Sequence, residues 1–189
     1  FGITDYFSFD TYLAVKKAYK TAFPEGEKRF IPNIEFRLTE AVDKDARNVN
    51  AHVLIDPNVA SETQLNTLLS DVFTHITRHG GRVRCSQLSS QSDYEQATVG
   101  ILDLKKALEG VFPDRASYII VIAANNDGLK GVDTKSPRSL SISDELAKAG
   151  DAFFGSSKNT DYFLRANRYE DGSSSDPKPL FSGSDSHSF

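Results

Sequence analysis

The eight residues from Ser117 to Ala124 constrain the fold more than any other part of the chain. They read Ser-Tyr-Ile-Ile-Val-Ile-Ala-Ala, an apolar run without polar residues at alternate positions. A strand with one face in water alternates apolar and polar residues, whereas an unbroken apolar run is typical of a parallel sheet covered on both faces. Asn125 follows directly. The run therefore predicts a buried parallel strand with a polar residue at its carboxyl end.

Helical patterns alternate with further strand patterns along the chain. Strands are predicted at 2–4, 30–38, 49–55, 82–85 and 152–156 and from 178 onward, and helices at 10–23, 61–79, 92–112, 143–149 and 160–169. Such alternation is typical of a parallel α/β sheet. We expect one domain over residues 1–189, with a mobile Ser/Gly/Asp-rich loop at 170–178. The six or seven strands favour a closed or nearly closed barrel over an open sheet.

Polar side chains follow nearly every predicted strand, and this pattern is the reason for favouring a barrel. They are Asp5, Glu35, His52, Asn125, Ser156, Asp185 and His187. Barrel enzymes build their active sites from residues at the carboxyl ends of their strands. We therefore predict that these side chains converge on one rim of the sheet.

Four of these residues have the chemistry of metal ligands. Glu35 and Asp185 are carboxylates, and His52 and His187 are imidazoles. Mixed nitrogen and oxygen ligation suits manganese, zinc or iron better than calcium. One or two such ions would lower the pKa of a bound water and hold a phosphate group. The alternative is that the four are unrelated polar residues at strand ends.

The stretch from 129 to 140 is predicted to be a loop beside this rim. It carries Lys130, Lys135 and Arg138, which could contact a substrate phosphate or could simply be solvated. We predict catalytic roles for Lys130 and Arg138 from this loop, and for Asp5 and Asn125 from the strand ends. The loop cations would stabilise negative charge that develops in the reaction.

Two other groups of reactive side chains have simpler interpretations. His75 and His79 are spaced i, i+4 on a predicted helix, and we expect a solvated helix end there. Cys85 is the only cysteine, and we expect a buried structural thiol. A single cysteine excludes an internal disulfide and fits a reducing, cytoplasmic compartment.

Composition limits the kinds of partner. The formal net charge of −4 argues against a general polyanion-binding surface but leaves a local basic patch open. No apolar run approaches the roughly 20 residues that a membrane span needs, so no membrane partner is expected. The chain begins inside a predicted strand and contains no Met. We therefore expect a fragment of a longer protein, with a further strand upstream of Phe1.

Several short motifs together resemble a known family. They are Gly2-Ile3-Thr4-Asp5, Asn33-Ile34-Glu35, His52 and Gly183-Ser184-Asp185-Ser186-His187. In this order they resemble the successive motifs of the PHP (polymerase and histidinol phosphatase) domain. The stretches Pro32–Leu38 and Ala124–Gly128 look most like the PHP-like domain at the N-terminus of large bacterial ATPases of the TrlF or AAA/SMC-like type.

The resemblance implies a distorted (β/α)7 TIM-like barrel that holds two or three metal ions and hydrolyses phosphoesters. Carried over by position, Glu35, His52, Asp185 and His187 would bind the metals. Tyr6 and Asn125 stand where the family has His, which favours one or two ions. The expected function is a metal-dependent phosphoesterase, such as a nuclease, acting on a phosphorylated small molecule or a nucleic acid beside a C-terminal ATPase region. The alternative is a catalytically degenerate barrel that binds a ligand or a partner.

Overall fold

A computed structural model describes residues 1–125, 128–129, 132–133, 135–156, 159–164 and 177–182. The chain forms two compact units, one made of Phe1–Glu40 and Ala51–Ile119 and the other of Ala41–Asn50 and Ile120–Phe189. Within the described ranges, no helix has the length and apolar character needed to cross a membrane.

The described strands and helices alternate through most of the chain. In order they are β1 Gly2–Tyr6, α1 Asp10–Ala22, β2 Ile31–Ala41, β3 Asn48–Ile55, α2 Glu62–Asp71, β4 Phe73–Arg78, β5 Gly81–Arg84, α3 Gln91–Gln96, α4 Ile101–Val111, β6 Tyr118–Ala123, α5 Pro137–Ala149, β7 Ala152–Phe154, α6 Thr160–Phe163 and β8 Leu180–Phe181. The α/β class predicted from the sequence is confirmed.

The strands form one six-stranded mixed sheet and one hairpin. The order in the large sheet is β1-β2-β3-β6-β7-β8, and β4 pairs with β5 in the antiparallel hairpin. Strands β1 and β2 are parallel, with Thr4 opposite Asn33 and Tyr6 opposite Glu35. Strand β7 is likewise parallel to both of its neighbours, β6 and β8. Because the six-stranded sheet as a whole is mixed, the expectation of a parallel sheet is correct only for these pairs.

The core of the first unit is built from alternate residues of β2 and β3. Ile34, Phe36 and Leu38 are fully buried, as are Val53 and Ile55. Because side chains on a strand alternate between faces, the residues between them lie on the opposite side of the sheet. One side of this sheet is therefore apolar, and the other carries polar residues.

The core of the second unit is centred on β6. Ile120, Val121 and Ile122 are fully buried, which confirms the strand predicted from the apolar run. The Ile120 N–H donates to the carboxylate of Asp151, just before β7 (2.7 Å), which satisfies a backbone donor of β6. Lys178 donates from Nζ to carbonyl oxygens at the end of α5; the rest of the predicted loop, 170–176, lies outside the described residues.

The helix predicted over 61–79 is correct in its first part and wrong in its second. Ser61 accepts from the Gln64 N–H and forms the predicted capping box of α2. The helix ends at Asp71, and the following residues form β4 and β5 instead. His79 and Gly80 both have positive φ at the hairpin tip, the pattern of a two-residue type I′ turn. His75 and His79 therefore do not form a helical pair.

The helix predicted over 92–112 is two helices, α3 and α4. Val99 lies between them in extended conformation and bridges to Leu38 of β2. Its N–H donates to the Arg37 carbonyl, and its carbonyl accepts from the Thr39 N–H, each at 2.9 Å. These backbone bonds to β2 offset the loss of helical bonds, so tertiary pairing overrides the helical pattern.

The loop predicted over 129–140 ends earlier than expected. Helix α5 begins at Pro137, and the Ser136 hydroxyl accepts from the Ser139 N–H. Serine at the cap followed by proline in the first turn is a favourable helix start. Arg138 is therefore an exposed residue in the first turn of a helix rather than a loop residue.

Candidate functional site

The candidate site lies on the polar side of β1, β2 and β3 in the first unit. The strand register places Thr4 beside Asn33 and Tyr6 beside Glu35. Asn33, Glu35 and Arg37 share one side because they are two residues apart on a strand. The residues between them, including Ile34 and Phe36, fill the opposite, apolar side. The side chains of Asn33, Glu35 and Arg37, together with His52 of β3, are called the polar row. They lie on the side of the sheet that faces away from the packed core.

Glu35 and His52 meet at the centre of this row. Glu35 Oε1 lies 3.9 Å from His52 Nε2, with side-chain exposures of 25% and 17%. Both residues lie in mid-strand, since β2 continues to Ala41 and β3 to Ile55. The prediction that they sit at strand ends on a rim is wrong, because each lies inside its strand, as the predicted ranges 30–38 and 49–55 already implied. They nevertheless converge, across a face of the sheet.

Burial sets the charge of this pair. Burial lowers the pKa of His52 from 6.5 to about 4, because moving a cationic imidazole out of water is costly. His52 is therefore neutral near pH 7 and keeps a lone pair for coordination. The contact with Glu35 is not an ion pair at that pH but a carboxylate beside a neutral imidazole.

The spacing of Glu35 and His52 is close to that of two metal ligands. With metal–ligand bonds of 2.0–2.1 Å at a tetrahedral angle, two ligand atoms lie roughly 3.3 Å apart. The observed 3.9 Å between Oε1 and Nε2 is wider by a few tenths of an ångström, which small side-chain rotations can remove. A carboxylate and a neutral imidazole are also the donor types that manganese, zinc and iron accept.

Asn33 adds a third oxygen donor on the same side of the sheet. It is 6% exposed, and its Nδ2 donates to Thr4 Oγ1 at 2.7 Å. Among the described residues, no hydrogen-bond partner faces its buried Oδ1. A buried acceptor without a partner costs about 1–3 kcal/mol, so a bound cation or water here would relieve that cost. Asn33 belongs to one of the sequence motifs but was not predicted as a site residue; its i, i+2 spacing to Glu35 was the available signal.

Arg37 brings positive charge to the same row. Its guanidinium carbon lies 5.4 Å from the centre of the Tyr6 ring, and its Nη1 donates to the Glu95 carbonyl (2.5 Å). The ring and the carbonyl hold a cation two residues from Glu35. Guanidinium groups match the oxygens of phosphate well. Arg37 was not predicted as a site residue, because one cation in a strand is common on solvated surfaces.

Asp5 is placed elsewhere. Its Oδ2 accepts from the Tyr12 N–H at 3.1 Å in the first turn of α1. Asp5 lies between Thr4 and Tyr6, so its side chain points to the side of β1 opposite to theirs. Helix N-termini leave backbone donors unsatisfied, and a carboxylate there stabilises the helix. The structure thus gives Asp5 a structural contact and does not bring it to Glu35 and His52.

The remaining predicted site residues lie in the second part of the chain. Asn125 is half-buried and follows β6, as predicted, and Arg138 is exposed on α5. Lys130, Asp185 and His187 lie outside the described residues. Within the part of the chain that is described, no cluster of three or more His, Cys, Asp or Glu is arranged to hold a metal ion. The structure thus brings together two of the four predicted ligands.

The other reactive side chains have structural contacts. His75 Nδ1 and Thr98 Oγ1 are 2.7 Å apart, which ties β4 to the segment after α3. Cys85 is 3% exposed, and burial raises its pKa to about 12. A buried neutral thiol is a weak nucleophile. The prediction that Cys85 is a buried structural residue is confirmed.

Comparison with protein-family models and with curated proteins gave no match for this chain.

Proposed function

We propose that this chain is a metal-dependent phosphoesterase domain. The observation that carries the proposal is the contact between Glu35 and His52, two predicted ligands that are 17 positions apart in the sequence and 3.9 Å apart in space. Their shared side of the sheet, their partial burial and the neutral state of the imidazole all favour coordination of a cation. The predicted ligands Asp185 and His187 would complete the site.

Each residue of the row has a defined role in this proposal. Glu35 would supply negative charge and His52 a neutral nitrogen to a cation, and the Asn33 carbonyl oxygen would bind that cation or a water beside it. When bound, a divalent cation would supply Lewis acidity for phosphoester hydrolysis. Arg37 lies on the same side of β2 and would stabilise the charge that builds up on the phosphate oxygens.

Metal binding and hydrolysis should both depend on the central pair. We expect Glu35→Gln and His52→Ala each to weaken Mn²⁺ binding about tenfold or more, since loss of even an outer partner of a metal ligand costs 10–100-fold. Calorimetric titration with Mn²⁺ measures this directly, and release of nitrophenol from bis(p-nitrophenyl) phosphate measures turnover.

Two variants provide matched controls for this experiment. Glu109→Gln changes an exposed carboxylate on α4, and His79→Ala changes an exposed histidine at the hairpin tip. Both should bind Mn²⁺ as the unmodified chain does. If Glu35→Gln and His52→Ala also bind Mn²⁺ with unchanged affinity, the polar row is not a metal site and the proposal is wrong.

A second function, binding without catalysis, is favoured by one observation. Tyr6 stands directly opposite Glu35 in the strand register, at the position where the resemblance calls for His. A neutral phenol binds such metals poorly. A degenerate barrel would retain the cation of Arg37 and bind a phosphate-bearing ligand or a partner. It would show ligand binding by calorimetry with no turnover in the presence of any divalent metal.

The same proposal extends to the architecture and setting of the domain. The mixed sheet would belong to a distorted (β/α)7 barrel of the PHP type, working beside an ATPase region of a larger cytoplasmic protein. An experimental structure of a longer chain would test this proposal. A sheet that stays open, with unpaired first and last strands, would contradict the barrel.

A further inference from the structure

Five cations line two adjacent grooves beside α1, and none of the residues of the polar row is among those that line them. The larger groove, about 690 Å³, lies between α1 and the start of α2 and is lined by Lys16, Lys17 and Lys20. The smaller groove, about 380 Å³, shares Lys16 and Lys20 and adds Lys28 and Arg29. The two grooves are therefore neighbours, with Lys16 and Lys20 lining both. We call this surface the α1 groove.

The positive charge of the α1 groove is not neutralised. Within the described part of the chain, Glu62 is the only acidic residue that lines either cavity. Among the described residues, none of the five cations lies within salt-bridge distance of a carboxylate. A concentration of five cations in a chain of net charge −4 produces a local positive potential that attracts anions.

The arginines of the β4–β5 hairpin, unlike the cations of the α1 groove, lie beside carboxylates. Arg78 pairs with Asp93, Arg82 with Asp103 at 2.8 Å, and Arg84 lies 3.8 Å from an Asp71 oxygen. These cations contribute to the packing of the hairpin. Positive charge in the hairpin is therefore balanced by carboxylates. In the α1 groove, Lys16 and Lys20 instead donate to neutral oxygens, the Tyr12 hydroxyl at 3.4 Å and the Pro24 carbonyl at 2.5 Å, so their charge is not cancelled and can attract an anion.

Aromatic rings lie beside the cations. Tyr19 and Phe30 line the smaller groove, with ring centres 5.1 Å apart, and Phe23 lies 5.2 Å from Tyr19. Phe23 is 58% exposed. Nucleic-acid bases stack on such rings when the strand is single, because a duplex hides the faces of its bases. Cations that track a backbone next to stacking rings are the usual components of a single-strand site.

The spacing along α1 suits an extended backbone. Lys16 and Lys20 are four residues apart, which is about 6 Å along the helix on one face. A concave, elongated surface fits a flexible strand better than the nearly flat surface of a membrane, which favours protruding apolar residues. We propose that the α1 groove binds single-stranded nucleic acid. The inference depends on the proposed phosphoesterase function in one respect only: it names nucleic acid as the substrate class of that enzyme.

Binding can be tested separately from hydrolysis. The purified chain is titrated into a fluorescently labelled 20-nucleotide oligo(dT) in EDTA at low salt, and anisotropy is recorded. We expect the double variant Lys16→Glu/Lys20→Glu to bind about tenfold or more weakly. It should also reduce the slope of log K against log salt by about 1.4, since each phosphate contact to a single strand contributes about 0.7.

A matched charge reversal and a ring substitution complete the test. Lys44→Glu/Lys106→Glu makes the same change in net charge at two exposed lysines outside the groove and should retain most of the affinity. Tyr19→Leu keeps an apolar side chain but removes the ring, and should weaken binding roughly fivefold or more. Thermal melting checks that each variant is folded.

Three outcomes would overturn the inference that the α1 groove binds single-stranded nucleic acid. These outcomes are absence of binding by the unmodified chain, equal loss in both charge-reversal variants, and tighter binding of a duplex of equal length. Binding to vesicles containing phosphatidylserine but not to oligo(dT) would replace nucleic acid by a membrane. Because oligo(dT) binding is measured in EDTA, it needs no bound metal, so failure of the metal site and failure of the groove are distinguishable.

Discussion

The buried imidazole of His52 makes the stability of this protein depend on pH. Burial lowers its pKa from 6.5 to about 4 in the folded chain, whereas in the unfolded chain the ring is solvated and titrates near its ordinary value. Between these two values the unfolded state binds more protons than the folded state. Stability therefore rises with pH through this window and is lost as pH falls from 6.5 towards 4.

The size of the effect follows from the two pKa values. One pKa unit corresponds to 1.36 kcal/mol, so the gap between 6.5 and about 4 corresponds to ~3 kcal/mol. This is a large share of the 5–15 kcal/mol by which a typical domain is stable. His52 has a side-chain exposure of 17%, so solvent weakens this cost only in part.

Urea unfolding at a series of pH values measures the effect. His52→Gln keeps a polar side chain but cannot titrate, so the free energy of unfolding of this variant should fall less steeply on acidification. The difference between the two curves should approach ~3 kcal/mol below pH 4. His79→Gln, at the exposed hairpin tip, controls for the loss of a histidine and should follow the curve of the unmodified chain.

One result would refute the reasoning behind this prediction. NMR titration of the ring protons gives the pKa of His52 directly. A value above 6.5 would mean that attraction to the Glu35 carboxylate, 3.9 Å away, outweighs burial. The imidazole would then be charged at neutral pH and would compete with a metal cation, and the sign of the stability change would reverse.

Two further predictions concern the rest of the first unit. Ser61→Ala removes the hydroxyl that accepts from the Gln64 N–H at 3.2 Å and should lower the free energy of unfolding, measured in urea, by about 1 kcal/mol. Thr63→Ala, an exposed substitution on the same helix, is the control. An equal loss of stability in both variants would contradict the role of Ser61 as a cap. The Cys85 thiol, whose pKa burial raises to about 12, should react with Ellman's reagent only after denaturation, and rapid reaction of the native protein would show that it is accessible.

Local signals were sufficient for several elements of the fold. The continuous apolar run around Val121 predicted β6, because only a strand covered on both faces tolerates such a run. The start of α2 was predicted from Ser61 and Gln64, which form a reciprocal cap within four residues of chain. In both cases the interactions that determine the structure are formed by neighbours in sequence or by burial alone.

Other elements depended on distant partners and were predicted incorrectly. Val72, Phe73 and Ile76 match helical spacing as well as they match a strand. What decides between the two is pairing with β5 across a turn that has positive φ at His79 and Gly80. The break between α3 and α4 likewise depends on hydrogen bonds from the segment around 99 to β2. No local pattern contains that information.

The features of the candidate site likewise fall into those that local sequence predicted and those that depend on tertiary contacts. By itself, the sequence determined which residue types could bind a metal, that Glu35 and His52 lie on strands, and that β6 is buried. Only the tertiary structure decided that these two side chains meet across a sheet, that Asp5 is turned towards α1, and that Asn33 and Arg37 join the row. The physical reason is that periodicity assigns a side chain to one of two faces, whereas the pairing of strands determines which distant residue it faces.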